Sequence, residues 1–266
     1  MAGDIARQAV AAGTEFIVVA GGDGTINEVL DGVANSGTPL AILPGGTANV
    51  LATEIGLGSD MVGAARLIGE CIQQRIAIGR LDCGPKSRHF VCMAGIGFDA
   101  HIVYNLSAGL KQRLGKAAYW VGGFSQINGR FPEFQVEIDG HLRHMCSFAL
   151  ISRVRNYGGD FEIAQSIGLL DSCFEVVLFR GRSPLPYFKY LLGLTTGRLA
   201  GMQGVLFSKA RCVRASVPEH ERIYVQVDGE SAGSLPAAVS IVPDAVTLLI
   251  PPAYMSRAQE IRRSGC

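Results

Sequence analysis

Phe16-Ile17-Val18-Val19-Ala20-Gly21-Gly22-Asp23-Gly24-Thr25-Ile26-Asn27-Glu28 decides how this chain is read. A short β-branched run of strand length enters a glycine-rich turn, and a helical pattern leaves it. Such a run suits a strand covered on both faces. Beyond the turn, Ile26, Val29, Leu30 and Val33 recur at helical spacing, with Thr25 and Glu28 placed as a capping box. A second turn, Pro44-Gly45-Gly46-Thr47, follows the apolar run Leu40-Ala41-Ile42-Leu43 and precedes another helical pattern, Asn49 to Ile55. Strand, helix, strand, helix at this spacing means right-handed parallel crossovers. Two glycine turns at the carboxyl ends of neighbouring parallel strands would meet on the edge where open α/β sheets bind ligands.

Working outward, Met1 to Ala12 is helical with Gly13 as its C′ residue, and Asp60 to Arg75 reads as a further helix with Met61, Ala64, Ala65, Ile68 and Ile72 inward. From about Ile76 the texture changes to short strand-like runs with turn punctuation. They are Ile78–Leu81, His89–Met93, Phe134–Ile138, Leu142–Ile151, Phe174–Phe179, Val205–Val213, Ile223–Val227, Val239–Ile241 and Thr247–Ile250. Asp139-Gly140 is a hairpin signal, and this half reads as an antiparallel β-sandwich. Helical insertions are expected around Phe98–Ile127 and Leu185–Leu199. The expected fold is thus an α/β nucleotide-binding domain over 1–76 and a β-sandwich domain over 77–252. The polar tail 253–266 reads as a helix free to pack back on the first domain.

The 266 residues carry a net charge of +1, so no global field draws the chain to nucleic acid. Seven scattered cysteines without a metal or redox spacing suggest reduced thiols of a cytosolic protein. Neither a signal peptide nor a transmembrane segment is legible.

The first turn lets backbone approach a phosphate closely and ends at a helix N-terminus, which favours anions. Asp23 would repel that phosphate unless a divalent cation lay between, which suggests a Mg²⁺-nucleotide. A lone turn of this kind is most often plain βα geometry with the acid as a cap. The second turn, with Asn49 beyond it, shifts the balance to a ligand. In the other half, Asp228-Gly229-Glu230 follows the strand Ile223–Val227, where Glu230 could serve as general base for a hydroxyl. By itself Asp-Gly is a common solvated turn. Asp171 could hold a cation or cap a turn, and its surroundings favour the cap. Pro186–Leu192 is apolar and could touch a bilayer surface or pack on the sandwich.

Together these motifs resemble the diacylglycerol kinase catalytic-domain family, soluble bacterial lipid kinases related to eukaryotic diacylglycerol and sphingosine kinases. The resemblance rests on Gly21-Gly22-Asp23-Gly24-Thr25-Ile26-Asn27-Glu28, Leu43-Pro44-Gly45-Gly46-Thr47-Ala48-Asn49, Gly95-Ile96-Gly97-Phe98-Asp99-Ala100 with Lys111 and Tyr119, and Asp228-Gly229-Glu230. It implies a cleft between the two domains. It also implies that Gly21, Gly22, Asp23, Gly24, Thr25, Ile26 and Asn27, with Gly46, Thr47 and Asn49, bind ATP. Glu230 would be the proton acceptor and Asp23 its catalytic companion. A structural Mg²⁺ would lie near Asp171, partly on backbone carbonyls around Gly168 and Cys173. The implied partner is a lipid at a membrane surface, met transiently at the inner face by a cytoplasmic chain. Oligomeric state is not legible, and a homodimer is compatible with the sequence.

Three departures stand out. Relatives usually open with a strand and an Asn-Pro-x-x-Gly phosphate loop, whereas this sequence starts after them; that predicts an exposed sheet edge beside Phe16–Ala20. Val50 stands where relatives often carry Asp, a feature shared with sphingosine-kinase-like members. Leu170-Asp171-Ser172 replaces the usual Asp-Asp-Gly near the metal. The rival enzyme is a nicotinamide-nucleotide kinase, which shares the first turn, though the Asp228-Gly229-Glu230 ending argues for a lipid acceptor. The rival from another class is a non-catalytic nucleotide- or lipid-binding protein.

Overall fold

The two apolar runs form β1 (Ile17–Gly21) and β2 (Pro39–Pro44), paired in parallel from Ile17 opposite Leu40 to Gly21 opposite Pro44. Described in this computed structural model are residues 2–98, 100, 131–157, 161–217 and 221–264. Asp99, Lys111, Tyr119, most of the insertion expected around Phe98–Ile127, and the Gly158-Gly159-Asp160 stretch lie outside them. Helix α1 (Ala2–Ala11) ends as expected at Gly13: Gly13 N–H donates to Val10 O and Thr14 N–H to Ala9 O, the paired bonds of a Schellman cap.

Helix α2 (Asp23–Val33) begins two residues before the anticipated capping box, with Gly22 at the N-cap and no side-chain cap. The β1 strand is also not covered on both faces. It ends its sheet among the described residues, and only Val19 is buried while Phe16 and Val18 stand exposed. The covered strand is β2.

A short helix α3 (Val50–Glu54) follows the second turn, and α4 (Met61–Leu67) is capped by Asp60, whose carboxylate accepts from Val62 N–H. The helix read over Asp60–Arg75 stops there. After a 3₁₀ turn at Ile68–Glu70 the chain enters β3 (Ile72–Cys83), and Ile72 is exposed rather than inward. Strand propensity and a long pairing partner override the helical spacing of these residues. That partner is β16 (Ala237–Ile250), which pairs antiparallel with β3 from Ala237 opposite Cys83 to Ile250 opposite Ile72. The same strand lies parallel to β2 at Thr247 and Leu248. One mixed sheet of eight strands therefore carries both the parallel pair and one layer of the sandwich.

The sandwich is made by strands that leave one sheet and enter the other at tight corners. Strand β4 (Lys86–Phe90) pairs with β3, and β5 (Met93–Gly97) belongs to the second, six-stranded antiparallel sheet. Similarly β6 (Phe134–Ile138) and β7 (Leu142–Cys146) lie in the mixed sheet, and β8 (Phe148–Ser152) in the second. The run Leu142–Ile151 is thus two strands with a corner at Ser147. A short ribbon, β9 (Asn156–Tyr157) with β10 (Phe161–Glu162), precedes β11 (Phe174–Phe179). The run Val205–Val213 likewise splits at Arg211 into β12 (Val205–Ala210) and β13 (Cys212–Ser216). Between them the sheets close a core that includes Phe90, Ile96, Phe134, Val176, Val213 and Val225. Helix α5 (Pro184–Thr195) covers the outer face of the second sheet, packing Tyr187 and Tyr190 against Phe148 and Phe179. The architecture is the expected α/β unit with an antiparallel sandwich.

The Asp139-Gly140 turn joins β6 to β7 with φ of 48° and 76°, and His141 N–H closes it onto Ile138 O. Both central residues are left-handed, as a type I′ hairpin requires. Gly140→Ala should lower unfolding free energy by about 1–2 kcal/mol, read as a fall in the urea midpoint at unchanged slope; an unaltered midpoint contradicts the turn assignment.

Candidate active site

Backbone meets backbone where the two glycine turns touch. Gly45 N–H donates to Gly21 O at 2.9 Å, and a Cβ on Gly46 would lie 2.5 Å from Gly22 Cα. The glycines are required by this packing before any ligand is considered. Asn49, at φ 47°, closes the second turn on itself: Oδ1 accepts from Gly46 N–H at 2.8 Å and Nδ2 donates to Gly46 O at 2.9 Å. Asp23 turns toward the start of α3, where Oδ1 accepts from Leu51 N–H at 3.4 Å. Burial pushes the Asp23 carboxyl above its ordinary value, and amides of Leu51, Val50 and Asn49 pull against that rise. The acid ties the two turns together. Gly45, Gly46 and Thr47 remain exposed, as does Thr25, whereas the Ile26 side chain is part of the core.

The opposite wall comes from the second sheet. Strands β14 (Tyr224–Val227) and β15 (Glu230–Ser234) are joined by Asp228-Gly229, with φ of 46° and 80°, again a two-residue hairpin turn. The Asp228 carboxylate is received by the β4–β5 corner: Oδ2 accepts from Val91 N–H at 3.0 Å, and Oδ1 from Cys92 and Met93 N–H at 3.1 and 2.8 Å. Burial pushes this carboxyl up to about 6, opposed by the three amides and reinforced by the charge of Asp23. With Asp228 anchored, Glu230 heads β15 and faces the first glycine turn. A Cβ on Gly24 would stand 2.5 Å from Glu230 Oε1. Residues more than two hundred positions apart therefore form one site.

Sequence reading missed the pairing around it. Strand β4 lies over α2 and supplies Arg88, whose Nη2 donates to Glu230 Oε2 at 2.7 Å, and His89, whose Nδ1 lies 2.7 Å from Asp31 Oδ1. Lys86-Ser87-Arg88-His89 carries no motif, and Arg88 meets its partner only through tertiary structure. A cavity of about 180 Å³ opens here, lined by Arg7, Asn27, Glu28, Asp31, Arg88 and His89. The buried Asn27 Oδ1 that borders it has no hydrogen-bond partner, which suits a polar ligand.

Gly168, Asp171 and Cys173 share one loop, but their oxygens are already engaged. Gly168 O accepts from Asp171 N–H, and Asp171 Oδ2 accepts from Gly168 N–H, both at 2.9 Å. The carbonyls of Asp171 and Cys173 accept from Arg153 Nη1 at 3.0 and 3.3 Å, and Leu169 O from Nη2 at 2.8 Å. A guanidinium occupies the carbonyl cradle, and the arrangement does not fit a divalent ion in the same place.

The profile of the diacylglycerol kinase catalytic domain matches residues 1–81, and that of the YegS C-terminal NAD kinase beta sandwich-like domain matches residues 92–250. The chain is 28% identical over 236 residues to a diacylglycerol kinase of Bacillus subtilis (strain 168), covering 87% of this chain and 76% of that one. It is 27% identical over 248 residues to a diacylglycerol kinase of Mycobacterium tuberculosis, covering 91% and 79%. A solved diacylglycerol kinase from Bacillus anthracis str. Sterne shares the fold, with a TM-score of 0.74 at 22% identity over 95% of this chain and 83% of that one.

Asp228→Ala leaves three amides at the β4–β5 corner without their acceptor and should cost about 3 kcal/mol. Chemical denaturation measures it, and a loss under half that size would mean the clamp is not what holds the corner.

Proposed function

The chain belongs to the family in which a diacylglycerol kinase catalytic domain precedes a YegS-type beta sandwich-like domain, and we propose that it is an ATP- and Mg²⁺-dependent lipid kinase acting on the hydroxyl of a diacylglycerol-like lipid. The observation that carries this reading is the carboxylate of Glu230 standing against the Gly24 turn, opposite exposed glycine backbone that a polyphosphate can approach. We assign residues 1–76 to nucleotide binding and 77–252 to the lipid-bearing sandwich. The tail helix α6 (Pro252–Ser264) reaches back to α3 through Tyr254 Oη and Glu54 Oε1 at 3.1 Å.

In this reading the backbone of Gly21 to Asn27, with Gly46 and Thr47, receives the nucleotide, and Asn49 and Asp23 keep the two turns in register beside it. Glu230 takes the proton of the acceptor hydroxyl as its oxygen bonds to the γ-phosphorus and the bond to the ADP oxygen breaks. Arg88 holds Glu230 Oε2 and fixes which oxygen faces the hydroxyl. Mg²⁺ arriving with ATP would neutralise phosphate charge. Alignment and charge neutralisation supply most of the rate.

Glu230→Gln keeps the shape of the side chain and removes its basicity. Phosphate transfer from labelled ATP to extracted lipid should fall by about 10²–10⁴-fold while nucleotide affinity is retained. Unchanged turnover defeats the base assignment, and transfer to NAD in place of lipid would select the nicotinamide-nucleotide kinase.

We place the working chain in the cytoplasm, transiently at the inner membrane face. Among the described residues no helix is long and apolar enough to cross a membrane. Leu185, Phe188 and Leu192 form an exposed apolar stripe along α5 suited to shallow contact with a bilayer. Replacing Leu185 and Leu192 with Ser should reduce flotation with phospholipid vesicles and leave the unfolding midpoint in place; equal flotation removes the stripe from the membrane contact.

A further inference from the structure

Arg153 is fully buried, follows β8, and is the most voluminous side chain so enclosed among the described residues. A buried guanidinium is costly unless its donors are met; here main-chain carbonyls meet both terminal nitrogens, while Nε is buried without a partner. Nη1 serves Asp171 O and Cys173 O, and Nη2 serves Leu169 O. The loop folds around the charge, and Asp171 turns its own carboxylate back to Gly168 N–H. Burial draws the Arg153 guanidinium down to about 10, so it stays charged at neutral pH. A ring of carbonyl oxygens closing on one positive charge is the arrangement that a hard divalent ion also demands.

The clamp reaches the site through three further bonds. Leu169 N–H donates to Tyr254 Oη at 2.9 Å, and Tyr254 Oη donates to Glu54 Oε1 at 3.1 Å. Glu54 Oε2 in turn accepts from Arg155 N–H at 3.0 Å, two residues beyond Arg153. Glu54 is buried at the end of α3, the helix that starts at Asn49 of the second glycine turn.

We propose that Arg153 is the resident cation of this carbonyl cradle. Its guanidinium takes the place of a structural divalent metal, so the chain orders the Leu169–Cys173 loop, and through Tyr254 and Glu54 the second glycine turn, without one. The proposal rests on the nucleotide-binding reading only for the consequence at that turn. The metal independence stands on the geometry, and a Mg²⁺ that enters with ATP is a separate ion.

The test uses the full chain free of nucleotide, so its outcome does not depend on any phosphate transfer. Wild-type unfolding midpoints should coincide in excess EDTA and in millimolar MgCl₂, and Mn²⁺ titration followed by electron paramagnetic resonance should show no tight site. Arg153→Ala should lower the midpoint by roughly 10 °C and regain part of it with added guanidinium or with Mg²⁺, which can then enter the emptied cradle. Arg153→Lys, which keeps the charge but not the fork, should fall between the two and stay insensitive to chelator. If Arg153→Ala does not fold, the lysine variant and the wild-type metal measurements decide. A wild-type midpoint that drops in EDTA and returns with Mg²⁺, a tight Mn²⁺ site in the wild type, or an Arg153→Lys midpoint equal to wild type each overturns the proposal.

Discussion

The site depends on one carboxylate being received by three backbone amides. Asp228 stands at the tip of the β14–β15 hairpin, and Val91, Cys92 and Met93 offer it their N–H groups from the corner at which the chain changes sheets. The corner gains an acceptor for amides that no ladder can satisfy, and the hairpin gains a fixed direction. Glu230 comes two residues after the anchor, so its position against Gly24 follows from the clamp. Asp-Gly-Glu is therefore three parts of one device: an anchor, a turn residue and a carboxylate carried to the opposite wall.

The glycine turns show a comparable double use. Gly46 is needed because Gly22 backbone lies against it, whereas a Cβ on Gly24 would meet only the movable end of the Glu230 side chain. The absence of a side chain at Gly46 is explained by the protein's own packing. The backbone left bare by that packing is at the same time what a phosphate can approach. At Gly46 a close backbone approach and room for a phosphate are compatible demands.

Local chemistry made the turns legible, since Gly, Asp and Thr act through their own backbone and nearest neighbours. The corners at Ser147 and Arg211 are hidden in the sequence because neither glycine nor proline marks them and apolar residues stand on both sides. Ile72 to Arg75 was drawn into a helix because four residues satisfy either period, and only the partner strand β16 decides between them. The β-branched run of β1 suggests cover on both faces, yet Val18 is exposed and only Val19 is buried. Arg88 and Arg153 could not be found at all: one meets a carboxylate 142 positions away and the other meets only carbonyls, which every residue possesses.

Strands β3 and β16 run side by side through both halves of the molecule, broken in register only between Val242 and Val246. The irregular stretch is gripped from the first half, where Ala245 O accepts from Asn35 N–H at 2.7 Å and Arg75 reaches the carbonyls of Ser36 and Asp244. Among the described residues, this strand pair is a continuous link between the sheet that carries the glycine turns and the layer of the sandwich beside it. The break in register is the one interruption of that pairing along its length. Arg75 and Asn35 close that interruption with side-chain and main-chain donors, so the carbonyls freed by the bulge are met from the first half of the chain.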